Sequence, residues 1–205
     1  MKYRLTLSTI RTNTSRLLII ICSASLLAVS GNSLAGSASS LVDDFSNNTN
    51  NSLGLPRQFM NDTMVGGGTQ TKVGIESGVL HLSGEIVPPR GQPGWASTVL
   101  LLDGEGKPID ASEYTGIRML VKINSGSLSM SANSTEVANF DYHSSVVMAP
   151  SDGKFHEVKI PFDSLKRSWS EQTNLNTQTI NSLSIVAFSM QKATFDYEID
   201  EVSFY

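Results

Sequence analysis

Apolar residues fall in short runs that alternate with polar ones. In "GIRMLVKIN" (116–124), Ile117, Met119, Val121 and Ile123 share one side while Arg118, Leu120 and Lys122 share the other, the period-two pattern of a half-buried strand. Phe195, Tyr197 and Ile199 alternate in the same way with Asp196, Glu198 and Asp200. Similar runs occur at 41–45, 78–86, 95–102, 127–133, 140–148, 155–162 and 182–190, split by Gly, Pro, Asn and Asp. No window keeps apolar residues at helical spacing for three turns. The best helical fragment, "DSLKRSWSEQ" (163–172), is one or two turns inside a connection. Eight or nine strands without a partner helix or a repeat predict an all-β chain. The arrangement expected is a jelly-roll β-sandwich with its first and last strands paired.

The first 35 residues follow a different pattern. Lys2, Arg4, Arg11 and Arg16 precede the apolar run 17–29, no acid occurs before Asp43, and small residues follow in "SGNSLAGSASS". This is the layout of a secretory signal peptide over 1–35, cut after Ala35 or Ala38. The run has 13 residues, whereas a membrane span needs roughly 20. A secreted or periplasmic chain with no membrane anchor after cleavage is expected, with one domain over 36–205 and its core over about 41–205.

Removal of that leader changes the charge. It leaves 11 basic residues against 19 acidic ones, a net charge near −8, and no basic run, which argues against nucleic acid as a partner. The single cysteine, Cys22, lies in the leader, so disulfides, zinc–cysteine sites and cysteine nucleophiles are excluded together.

The stretch "MNDTMVGGGTQ" (60–70) holds three glycines in succession. A phosphate loop would need Lys where Thr69 stands, and a dinucleotide loop would need Gly at Thr71 and a helix after it. Nucleotide binding is therefore not expected. The glycines are read as backbone that a Cβ would forbid, passing close to a neighbour. "NDTMVGGGT" (61–69) resembles the Asn-Asp-x-Val-Met-Gly-Gly-x-Ser signature of the NADH:ubiquinone oxidoreductase complex I intermediate-associated protein 30 family. "LSGEI" (82–86), "PGWASTV" (93–99), "YTGIRMLVK" (114–122), "FHEVKIPFDSL" (155–165) and "YEIDEVSFY" (197–205) continue the likeness in order. Met64-Val65 inverts the usual pair, Trp95 replaces Phe, and Phe155 replaces Trp. The resemblance implies a galactose-binding-domain-like sandwich, and the closing segments are also similar to family 11 carbohydrate-binding modules. The family includes mitochondrial complex I assembly proteins, whose matrix-side partners an exported chain does not meet.

No catalytic residue is assigned. His81, His143 and His156 lack ligand spacing, and no Gly-x-Ser-x-Gly elbow is present. Ligand-binding candidates are Trp169, Tyr142 and Trp95 for stacking on a sugar ring, with Asp141, Asn139 and His143 as polar neighbours. Asn61 and Asp62 are further ligand-binding candidates; they have the alternative of fixing the glycine loop by hydrogen bonds, and Trp95 that of a core position. No cofactor is expected beyond a structural Ca²⁺ between Asp43 or Asp44 and Asp200 or Glu201, where hard oxygen donors would meet at the paired termini. Three functions follow in order: a non-catalytic module that binds a glycan or another polar ligand, a protein-interaction or assembly factor holding an envelope protein, and a glycoside-active enzyme.

Overall fold

The computed structural model describes residues 40–205. The leader over 1–35 lies outside the described residues. Eleven strands form two antiparallel sheets. In chain order they are β1 (Leu41–Asp43), β2 (Gln58–Asn61), β3 (Gln70–Glu76), β4 (Val79–Ile86), β5 (Gly94–Leu101) and β6 (Gly116–Ser125). They continue as β7 (Ser127–Ser134), β8 (His143–Val146), β9 (His156–Pro161), β10 (Ile180–Ser189) and β11 (Ala193–Phe204). One sheet runs β3-β4-β11-β6-β9 with β1 added to β11, and the other runs β2-β5-β10-β7-β8.

The alternation read from sequence is the alternation of burial. Ile117, Met119 and Val121 of β6 and Phe195, Tyr197 and Ile199 of β11 are buried against Leu100, Met130, Leu183 and Ile185 of the opposite sheet. Each such side chain contributes about 1.5–3 kcal/mol relative to exposure. A bulge between Ile199 and Glu201 shifts the phase of β11, so Val202 and Phe204 also point inward. The termini of the described domain pair as expected, Leu41 facing Ser203.

The two sheets are also linked by charge. Arg57, just before β2, grips Asp43 of β1 through Nε–Oδ2 (2.6 Å) and Nη2–Oδ1 (2.8 Å), with its guanidinium 5.0 Å from the Phe45 ring centre. Both side chains are essentially fully buried. This bidentate fork satisfies both charges, which burial demands.

Three sequence expectations change. Gln58–Asn61, to which the sequence pattern assigns no strand, is an edge strand pairing with β5. The run 140–148 contributes only His143–Val146, because Phe140 stands at φ +60° and breaks the strand. The helical fragment 163–172 is reduced to one 3-10 turn, Phe162–Ser164. Beyond it the N–H groups of Ser168, Trp169 and Ser170 go to the Asp141 carboxylate and not to a helical carbonyl.

Candidate functional site: the outer face of the five-stranded sheet

The glycine motif is structural. Asn61 caps the 3-10 turn Asp62–Val65 by accepting from Thr63 N, and Gly66 ends the turn at φ +89°. Asp62 is 0% exposed. Its Oδ1 accepts from Thr69 N (3.0 Å) and its Oδ2 from Thr69 Oγ1 (2.7 Å) and Trp95 N (3.1 Å). A Cβ on Gly67 would fall 2.2 Å from Asp62 Cγ. The second glycine is therefore required by the carboxylate that folds back over it. Asn61 Nδ2 also donates to Thr69 O at 3.3 Å. Of the two readings of Asp62, these contacts are those of the residue that fixes the glycine loop, and they correct the reading as a ligand contact: its oxygens are used up inside the fold.

The same correction applies to Asp141, which is 1% exposed. Its carboxylate accepts from Ser168 N (2.8 Å), Trp169 N (3.1 Å) and Ser170 N (2.6 Å). Burial pushes its pKa up, but these donors outweigh burial and hold it below the ordinary carboxylate value. Asp141 is thus a clamp joining loop 139–142 to loop 167–170. Arg167 reinforces the joint by donating to Asp141 O and Asn139 Oδ1, and Asn139 donates to Ser170 Oγ. His143, expected beside a ligand, is buried with Nε2 at 2.9 Å from Thr173 O.

The remaining candidates are available to solvent. Trp169 is 70% exposed and Tyr142 half-buried. Trp95 alternates with the core residue Ala96 and is half-buried on the outer side of β5, so the core alternative does not hold for it. Among the described residues no group of three or more His, Cys, Asp or Glu side chains gathers to hold a metal. Asp43 is taken by Arg57, Asp44 accepts from Ser46 and Ser52, and Glu201 pairs with Arg118. The carboxylates expected to hold Ca²⁺, Asp44 and Asp200 among them, belong to no such group.

The larger feature is one that the residue-by-residue reading missed. Register places Ser97 and Val99 of β5, Ser182, Ser184 and Val186 of β10, and Ser129, Ser131 and Asn133 of β7 side by side on the outer face of the five-stranded sheet. Ser97, Ser131, Ser182, Ser184 and Asn133 are nearly inaccessible although they lie outside the apolar core. Asn133 Nδ2 donates to Ser182 Oγ (3.0 Å) and Ser184 Oγ (2.7 Å). Taller side chains bound this floor: Met60 and Trp95 toward one edge and Val146 toward the other. Apart from His143, the five strands contain no titratable side chain. The signal was present in the serine alternation of "SLSMSANS" and "SLSIVAFS".

The other sheet presents the opposite surface. On its outer face Arg118 pairs with Glu157 (2.6 Å) and Glu201, and Lys122 with Glu198 (2.5 Å). The hydrogen bond from Arg118 holds Glu157 below its ordinary pKa, which disfavours it as a proton donor. Charges there are paired with one another, whereas the serine face is uncharged, with Ser127, Ser129 and Ser144 as its accessible hydroxyls.

The family model for Complex I intermediate-associated protein 30 matches residues 45–199. The chain belongs to that family. No curated protein matches it. Among solved structures it is similar to the family 11 carbohydrate-binding module of the cellulosomal cellulase Lic26A-Cel5E of Clostridium thermocellum, with 18% identity and TM-score 0.57, covering 82% of this chain and 95% of that one. A family 11 module from the same organism, in complex with a β-1,3-1,4-mixed-linked tetrasaccharide, aligns at 17% identity and TM-score 0.55 over 82% of this chain and 96% of that one. An exo-β-agarase aligns at 14% identity and TM-score 0.52, over 82% of this chain and only 25% of the agarase. At these identities the likeness is one of fold: a two-sheet jelly roll.

Proposed function

We propose that this protein is an exported, non-catalytic binding module that takes an uncharged glycan on the outer face of its five-stranded sheet. The observation that carries the reading is a serine floor without a titratable side chain, accessible to solvent at Ser127, Ser129 and Ser144 and ending at Trp95 and Phe188. Hydroxyls and amides exchange hydrogen bonds with sugar hydroxyls, and aromatic rings cover the apolar C–H faces. The tetrasaccharide complex of a family 11 module supports the reading by showing that this fold accommodates such a chain.

Affinity electrophoresis of the full chain in mixed-linked β-glucan, agarose and polygalacturonate tests it. Retardation by a neutral polymer and free migration in polygalacturonate are expected. Free migration in every neutral polymer overturns the proposal.

A second reading, a protein-binding assembly factor, draws on the exposed apolar residues Phe59, Met64 and Val65 on and beside edge strand β2. Recovery of one specific envelope protein, lost when Met64 and Val65 are replaced by serine, is the result that would favour it.

A further inference from the structure

Phe140 opens the apolar run 140–148 but lies outside strand β8. It is 77% exposed, stands at φ +60°, and meets Tyr142 edge-on at 6.3 Å between ring centres. Left-handed backbone is unusual for a bulky residue, and a phenylalanine in water gains nothing from burial. Trp169, 70% exposed, is carried by the facing loop. The two loops are locked together by the three N–H bonds to Asp141 and by the two Arg167 bonds. Two large aromatic rings are thus held in solvent on stiff backbone, the arrangement of a preorganised contact surface.

Phe140's neighbour Tyr142 relates it to the serine floor. Pairing of His143 with Ala132 brings Tyr142 to the level of Asn133, which in turn faces Ser182 of β10. Trp95 faces Phe188, six residues further along β10, a separation of about 20 Å. Aromatic groups therefore stand at both ends of the hydroxyl floor. The chemistry around Phe140 and Trp169 is largely uncharged. Asp141 and Arg167 are engaged with the loops, the exposed Lys166 and Glu171 have opposite signs, and Asn139, Ser168 and Gln172 supply neutral polar groups. A purely hydrocarbon partner would strand those polar groups, and an ionic one finds no concentrated counter-charge.

We propose that loops 139–142 and 167–170 form a second aromatic platform, built on Phe140 and Trp169, that stacks on a sugar ring of a chain lying along the serine floor. The module then reads extended uncharged oligomers and not single sugars. This rests on the glycan reading of the floor.

Calorimetry with neutral β-glucan oligosaccharides of increasing length tests it, using the full chain, Phe140→Ala, Trp169→Ala, Phe140→Tyr and Phe140→Gly. Affinity is expected to rise at least about tenfold from disaccharide to the longest oligomer, and the rise to collapse in both alanine variants but persist in Phe140→Tyr. Phe140→Gly should bind as weakly as Phe140→Ala while melting at a higher temperature than it, because glycine accepts the left-handed backbone. Binding with no dependence on length, or equal dependence in the alanine variants, overturns the platform while leaving the glycan reading intact. Absence of binding to every neutral glycan overturns both.

Discussion

The carboxylate of Asp62 accepts the backbone N–H of Trp95 at 3.1 Å across 33 positions of sequence. The bond connects the family motif to the start of β5, so a buried structural contact sets where an aromatic on the outer face emerges. The motif thereby bears on the candidate site through the backbone of Trp95.

Asp62→Ala leaves the buried Thr69 N–H and hydroxyl and the Trp95 N–H without their acceptor. A loss of about 3–5 kcal/mol is expected in denaturant unfolding. Gly67→Ala should also destabilise, by at least about 2 kcal/mol, since its Cβ would meet Asp62 at 2.2 Å. Wild-type midpoints for both would disprove the staple.

Arg57→Ala strands the buried Asp43 carboxylate, and Asp43→Ala strands the buried guanidinium. Each should lose about 3–5 kcal/mol, while the joint replacement Asp43→Leu with Arg57→Met recovers much of the loss, because two uncompensated charges disappear together. A double-mutant cycle measures the difference.

Asp141 links stability to pH. Its folded pKa lies below the ordinary value of 3.8, so its contribution is complete well above that value and is lost as pH falls through the folded pKa. The stability gap between the protein and Asp141→Asn should be constant near neutrality and narrow below about pH 4. Trp169 fluorescence follows the same event locally, since its backbone is one of the three donors. A gap that does not change with pH contradicts the clamp.

Ser97 lies on the floor between Met60 and Val186. Ser97→Leu raises the floor without entering the core, and should weaken glycan binding more than about tenfold with stability changed by roughly 0.5–1 kcal/mol. Undiminished binding would move the site elsewhere.

The candidates divide along physical lines. Exposure of Trp169 was legible because polar neighbours surround it in "KRSWSEQ", a local property. The role of Asp62 was legible as the alternative of fixing the glycine loop, because the turn follows within a few residues, whereas that of Asp141 was not, because what a carboxylate accepts depends on which amides the fold brings to it. The Arg57–Asp43 fork was hidden for the same reason, since Asp43 lies in β1 and Arg57 leads into β2 of the other sheet.

What the amino-acid order determined alone is the local geometry. Period-two alternation places Ile117, Met119 and Val121 inside whatever sheet contains them, and left-handed Gly66 ends its turn without reference to distant residues. The tertiary structure decided what became neighbours. Ser97, Ser131 and Ser184 look alike in sequence to any polar strand position, and only antiparallel register over long separations joins them into one uncharged floor. Alternation sorts a strand's two faces, but which strand lies beside it, and what that pairing assembles, is set by packing of the whole core.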